Sequence, residues 1–208
     1  MPAIGLLGGS FNPAHEGHRY ISVKALKALG LDEVWWMVSP QNPLKPERGM
    51  APFSKRIEAA RKLAHHPRIK VTGIERHLGT RYTADTLRAL KKRLPRGRFV
   101  WLMGADNLIQ IPHWEEWASI FEAVPIAVFD RPTYSLKARG SKAAQRFRRA
   151  RISQRRARCL PWMRPPAWVF LGGRTNPASA TSIRAARARK SGTGRGKGRN
   201  AKKAPGRR

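Results

Sequence analysis

The chain has 208 residues, a length that sets a scale of one to two domains, and 41% apolar content is enough for a buried core. Its 43 lysines and arginines against 12 acidic residues give a net charge of +31, and residues 131–208 carry 24 of the basic residues and none of the acidic ones. One cysteine, Cys159, excludes a disulfide framework and a cysteine-based zinc site; no apolar run approaches 18 residues and the N-terminus lacks signal-peptide character, so a cytoplasmic protein without a membrane span is expected.

Ala3 to Leu7 is a short apolar run closed by Gly8-Gly9 and reads as a first strand. Residues 17–29 have helical spacing, with Tyr20, Val23, Leu26 and Leu29, and Gly30 is a helix stop. Glu33 to Val38 reads as a buried strand, followed by the Pro-rich loop Ser39 to Pro52. Phe53 to His66 is a helix and Ile69 to Thr72 a third strand. Thr83 is placed as an N-cap, with Asp85 in the first turn of a helix that runs to about Leu94. Phe99 to Met103 is a fourth strand, with Gly104-Ala105-Asp106 as its exit loop. Trp114 to Phe121 reads as helical, Ile126 to Phe129 as a fifth strand, and the basic stretch 136–158 as helical. Trp168 to Leu171 is a sixth strand and Ala180 to Lys190 a short closing helix.

Strands separated by helical stretches imply βαβ units and a parallel sheet. The expected fold is α/β, a Rossmann-like doubly wound parallel sheet with a helical C-terminal part, binding ligands outside the C-terminal strand ends. Residues 1–190 form the expected domain. Residues 191–208 contain no large apolar side chain, cannot offset their ordering entropy, and are expected to form a basic disordered tail.

The strongest local signal is Gly8 to His18, GGSFNPAHEGH. Two glycines after a buried strand permit close backbone approach to a ligand. His15 and His18 lie three apart where the next helix begins, and a helix N-terminus favours phosphate. Two imidazoles there can donate to charge developing on a phosphate. Taken alone, a His-x-x-His pair is more often an ordinary surface pair. Zinc is the weaker reading, because no third ligand lies near in sequence. The chain has neither a G-x-x-x-x-G-K-[ST] nor a G-x-G-x-x-G run, so its phosphate site is of another kind.

Gly8-Gly9-Ser10-Phe11-Asn12-Pro13 with His15-Glu16-Gly17-His18 resembles the nucleotidylyltransferase superfamily, whose hallmark is [HT]-x-G-H after the first strand. Ser179-Ala180-Thr181-Ser182-Ile183-Arg184 resembles its second hallmark, S-[ST]-T-x-I-R, with Ala180 in place of a phosphate-contacting hydroxyl. Three further segments are similar to those of nicotinate-nucleotide adenylyltransferases: Arg81 to Leu87 (RYTADTL), Gly104 to Leu108 followed by Trp114-Glu115-Glu116-Trp117, and Ser39 to Pro46 with its P-x-x-x-P-x-K pattern.

This resemblance implies adenylyl transfer from ATP to nicotinate mononucleotide in NAD biosynthesis, with Mg²⁺ bridging the triphosphate. It assigns His15, His18 and Arg184 to catalysis on the ATP phosphates. Gly8, Gly9, Ser10, Phe11, Ser179 and Thr181 bind ATP. Lys45, Tyr82, Thr83, Thr86, Asp106 and Trp114 bind the acceptor. Several of these residues keep a second reading. Lys45 reaches the acceptor phosphate or is a solvated loop charge. Asp106 accepts from a ribose hydroxyl or caps the next helix. Trp114 stacks on the pyridine ring while Trp117 packs, and Thr83 and Thr86 cap their helix in either case. A carboxylate suits that positive helix end better than a neutral amide, which favours nicotinate over nicotinamide. Trp35, Trp36, Met37 and Trp101 are expected in the core, and His65, His66 and His77 on the surface.

Two rival functions remain at this level. One is the same chemistry on nicotinamide mononucleotide or another phosphorylated acceptor. The other is a nucleic-acid-binding protein that uses its basic C-terminal region, whose tail can bind polyanions nonspecifically. No aromatic residue interleaves the tail's charges, so it offers no stacking platform for bases.

Overall fold

The computed structural model describes residues 1–40, 49–173 and 183. Its elements alternate in chain order: β1 (Ala3–Gly9), α1 (Glu16–Leu29), β2 (Glu33–Val38), α2 (Phe53–Ala64), β3 (Ile69–Thr72), α3 (Ile74–Leu78), α4 (Thr83–Arg93), β4 (Arg98–Gly104), α5 (Ala105–Gln110), α6 (Trp117–Ala123), β5 (Ile126–Phe129), α7 (Ser135–Arg139), α8 (Lys142–Arg146), β6 (Arg151–Ile152) and β7 (Trp168–Leu171). The strands form one seven-stranded sheet in the order β3-β2-β1-β4-β5-β7-β6, and every pairing is parallel. Among the described residues no helix is long and apolar enough to cross a membrane.

The strands are apolar almost throughout because both sheet faces are covered. Alternation then divides each strand between two cores. In β1, Ala3 and Leu7 face the layer of α1 and α2, while Ile4 and Leu6 face that of α4, α5 and α6. Strand order reverses between β1 and β4, and the loops leaving their C-terminal ends diverge there. In a doubly wound sheet this switch point opens a crevice for ligands. The β1 loop with His15 and His18, and the β4 exit with Asp106, both issue from it.

Several elements differ from the sequence reading. β1 continues through Gly8 to Gly9, because Gly8 and Gly9 pair with Met37 and Val38 of β2. The segment Gly104-Ala105-Asp106 is not a loop: α5 starts at Ala105, directly after β4. Trp114 lies outside the helix, which begins at Trp117. α2 stops at Ala64 rather than His66. Residues 136–158 are not one helix. Gly140 ends α7, Ser141 caps α8 with its hydroxyl, and a turn at 148–150 leads into the two-residue strand β6 and a 3-10 helix over Gln154–Trp162. That strand is a seventh, absent from the sequence reading. Within the expected closing helix 180–190, residue 183 is described and helical; its other positions, and the tail 191–208, lie outside the described residues.

Gly8 shows how tightly the β1 exit is built. A Cβ there would sit 2.5 Å from the Trp101 ring, and Trp101 is buried in β4 next to it. Gly8→Ala is expected to destabilise the protein by about 1–3 kcal/mol through overpacking. A denaturant melt reads this directly, and an unchanged midpoint would mean that the indole has room to turn.

Candidate active site

α1 begins where the chain leaves β1, and His15 stands at its N-cap in extended backbone. Ser10 and Phe11 lead out of β1 into a turn at Asn12-Pro13. Phe11 holds a left-handed backbone, φ 45°, which a non-glycine residue adopts only when its surroundings enforce it. Its ring is buried, lying 5.2 Å from Trp36 and 4.6 Å from the His18 ring. The two imidazoles meet at 3.8 Å between centroids. The backbone N–H of His15 donates to Nδ1 of His18 at 3.2 Å, so the proton of a neutral His18 ring sits on Nε2. Underneath, Trp36 donates to Ser22 Oγ at 2.7 Å, and Ser22 donates to the His18 carbonyl at 2.8 Å.

His15 is 5% exposed and its Nδ1 has no hydrogen-bond partner among the described residues. Burial, helped by the charge of Arg131, pushes its pKa down from 6.5 to about 4. His15 is therefore a neutral imidazole near pH 7. An unpartnered buried polar atom at such a turn is where a substrate would supply the missing partner.

Arg131 follows β5 and is a residue beside Asp106 and His15 that the sequence reading missed. Its guanidinium lies 3.4 Å from Asp106 Oδ2, joining the exits of the neighbouring strands β5 and β4, and the other Asp106 oxygen is buried without a partner among the described residues. Its place just past the C-terminal end of a strand is the signal that could have found it. Asp106 sits in the first turn of α5 without capping it, so the capping alternative falls; Gly104 is the N-cap.

The acceptor residues divide. The N-cap of α4 is Tyr82, and Thr83 is the first helical residue, so the N-cap assignment to Thr83 is corrected. Thr86 does not cap either. It is fully buried, and its hydroxyl is engaged with Thr80 at 2.8 Å and with the Tyr82 carbonyl at 3.0 Å. Any contact of Thr86 with an acceptor would thus leave its side chain out. Trp114 is half-buried with its ring edge-on to Trp101 at 6.5 Å. Trp117 packs edge-on against Phe121 and Phe147, with Arg146 over its face. Trp36, Met37 and Trp101 are buried, whereas Trp35 is half-buried with its indole bonded to Glu33. His65, His77 and His113 are exposed and His66 is half-buried. Lys45, Ser179, Thr181 and Arg184 lie outside the described residues. Among those described, no group of three or more His, Cys, Asp or Glu could hold a metal ion.

Beside the β2 exit sits an acid that the sequence reading passed over. Glu75 in α3 is 6% exposed, and one of its carboxylate oxygens has no partner among the described residues. Burial raises its pKa from 4.5 to about 7, against a smaller opposing pull from a hydrogen bond with Ser39. The folded state therefore holds a proton that the unfolded chain releases. The resulting penalty is absent below pH 4.5, grows between 4.5 and 7, and is complete above 7. Glu75→Gln should stabilise the protein by up to about 3 kcal/mol at pH 8 and by nothing at pH 4.5. Melting curves at both pH values check this, and an equal gain at both would contradict it.

A histidine pair at a helix N-terminus, beside the switch point of a doubly wound sheet, is the arrangement that the nucleotidyltransferase resemblance implies. Residues 6–186 match the cytidylyltransferase-like family model, and the chain belongs to that family. Its relatives narrow the branch. It is 58% identical over 181 residues to a probable nicotinate-nucleotide adenylyltransferase of Parvibaculum lavamentivorans, covering 87% of this chain and 90% of that one. It is 52% identical over 182 residues to a protein of the same description from Cereibacter sphaeroides, covering 88% and 96%. A solved structure of the Plasmodium falciparum nicotinic acid mononucleotide adenylyltransferase complexed with NaAD superposes with a TM-score of 0.67 at 16% identity, over 89% of this chain and 83% of that one. At that identity the likeness concerns the fold.

Proposed function

We propose that this chain transfers the adenylyl group of ATP to nicotinate mononucleotide, giving deamido-NAD and pyrophosphate, in NAD biosynthesis. The observation that carries this reading is the His15–His18 pair at the head of α1, in a chain 58% identical to a relative of that description. An oxygen of the acceptor's 5′-phosphate attacks the α-phosphorus of ATP, the bond to the β-phosphate breaks, and pyrophosphate leaves. The attacking phosphate is already ionised, so the protein's task is to position the reactants and stabilise charge.

His15 and His18 act on the ATP phosphates, His18 nearest the group in transfer and donating from Nε2. The backbone of Gly8, Gly9, Ser10 and Phe11 lines the nucleotide, since the Phe11 ring is engaged in the core. Arg184 pairs with the β- and γ-phosphates as a planar fork, beside Ser179 and Thr181. On the acceptor side, Trp114 stacks on the pyridine ring and the backbone around Tyr82 and Thr83 receives the carboxylate at the head of α4. Asp106, with Arg131 beside it, takes a ribose hydroxyl, and Lys45 the acceptor phosphate. Mg²⁺ enters as part of the ATP substrate, held mainly by phosphate oxygens and water.

The product tests this assignment. Incubation with Mg-ATP and nicotinate mononucleotide should yield deamido-NAD and pyrophosphate in equal amounts by mass spectrometry. Adenylylation of nicotinamide mononucleotide at an equal rate would remove the preference for a carboxylate.

The reading extends to a cytoplasmic enzyme whose basic C-terminal part attracts polyanions without sequence preference. Residues 131–173 carry 12 basic and no acidic side chains, and Arg148, Arg149, Arg155 and Arg156 are exposed. Such binding falls steeply with salt and is separate from turnover.

A further inference from the structure

We infer that Arg56 is a positioning residue for the transfer step: it fixes the β1 exit, and through Phe11 it sets the His18 ring. This inference rests on the adenylyl-transfer reading given above. Arg56 lies in α2, 46 residues from the loop it serves, and is 3% exposed. A buried guanidinium ordinarily calls for a carboxylate, but none forms an ion pair with Arg56 among the described residues. Burial pulls its pKa below the usual arginine value.

Its donors go instead to four backbone carbonyls. Nη1 donates to Ser10 and Ser39, both at 2.7 Å, Nη2 to Pro40 at 2.7 Å, and Nε to Ala51 at 2.9 Å. One planar fork thus ties the exit of β1, the exit of β2 and the chain just before α2. Parallel pairing between β1 and β2 ends at Gly9 and Val38, and Arg56 carries the connection one residue further on each strand. Asn12 adds a second tie, donating to the Gly49 carbonyl at 3.2 Å and accepting from the Ala51 N–H at 3.3 Å.

The consequence reaches the histidines. Within one trans peptide the C=O and N–H point opposite ways, so the Ser10 carbonyl bound to Arg56 aims the Phe11 N–H away from it. Phe11 leaves that anchored peptide with a left-handed φ of 45°. That backbone places its ring against His18 at 4.6 Å, and His18 in turn is bound through Nδ1 to the His15 N–H. A lysine at position 56 keeps the charge but presents a single nitrogen, which cannot reach four carbonyls in one plane. It would free the Ser10 peptide without removing a group that touches substrate.

The test is Arg56→Lys in the full chain, with steady-state kinetics on Mg-ATP and nicotinate mononucleotide. The expected result is a kcat lower by about a hundredfold with KM for ATP little changed, since misplacement by an ångström costs about that much. A melting curve establishes that the variant is folded. If Arg56→Lys does not fold, Phe11→Leu, which keeps an apolar side chain and removes the ring, should give the same fall in kcat alone. The carbon–proton NMR signals of the His18 ring, assigned with His18→Gln, should move in either folded variant. An unchanged kcat, a change confined to KM, or a His18 signal that stays in place would overturn the inference. The NMR readout needs no acceptor. If wild-type protein does not adenylylate nicotinate mononucleotide, the functional reading fails while the ring signal still decides the role of Arg56.

Discussion

His18→Ala is expected to lower kcat by about a thousandfold, roughly 4 kcal/mol of transition-state stabilisation, while leaving the fold intact. The size follows from what the ring does. With Nδ1 taken by the His15 backbone, its one proton is directed from Nε2, and the ring is held in place by Phe11 and Trp36 before any substrate arrives. A donor already in position is not reorganised during the reaction, so its removal is felt almost wholly in the transition state. KM for ATP should therefore change much less than kcat. His18→Asn, which retains a side-chain N–H on a shorter arm, should recover part of the loss. Initial rates at saturating substrate give the comparison. A His18→Ala enzyme within tenfold of wild type would remove His18 from the reacting phosphate.

Trp36→Ala is expected to cost about 3–5 kcal/mol of stability, the range for truncating a fully buried tryptophan. Trp36 is 0% exposed in the middle of β2. Its loss opens a void between β2 and α1, strands the Ser22 hydroxyl bond and removes the floor under Phe11. For a domain of this size the melting temperature should fall by about 10 °C. Activity should fall further than the folded fraction accounts for, because the Phe11 and His18 rings rest on the same indole. Trp36→Phe keeps most of the volume and should recover most of the stability. Thermal melts read against kcat per folded molecule check both parts. A variant losing stability alone would show that the core and the histidine pair are independent.

The central β-strands were legible because they are runs of apolar residues largely buried on both faces, as in Leu102–Met103 of β4 or Ile126–Phe129 of β5. β6 was not, since Arg151–Ile152 is two residues long at a sheet edge and sits in an arginine run that reads as a helix. Helical spacing over 136–158 was likewise misleading: Gly140 and the Ser141 cap divide it, and neither changes the average pattern. α5 was hidden because Gly-Ala-Asp-Asn is turn-like in composition, although Gly104 is the helix cap there.

The site shows the same division. His15 and His18 could be read because a helix start places them together from three positions apart. Thr83 was misplaced by one residue, since a threonine ahead of an acidic residue fits the cap and the first turn alike. Arg56 and Glu75 left no local signal, and Arg131 left only its place just past the end of a strand. Their partners come from segments that follow other strands: Ser10 and Ser39 for Arg56, Ser39 for Glu75, and Asp106 for Arg131. Only the sheet order brings those residues to the crevice.

The central claim is met most directly by pyrophosphate release from Mg-ATP, measured with nicotinate mononucleotide, nicotinamide mononucleotide and phosphopantetheine in parallel. Fast release with nicotinate mononucleotide, much slower release with the other two, and loss of the signal in His18→Ala are the expected results. Release with none of the three, or with phosphopantetheine in preference, would contradict the account.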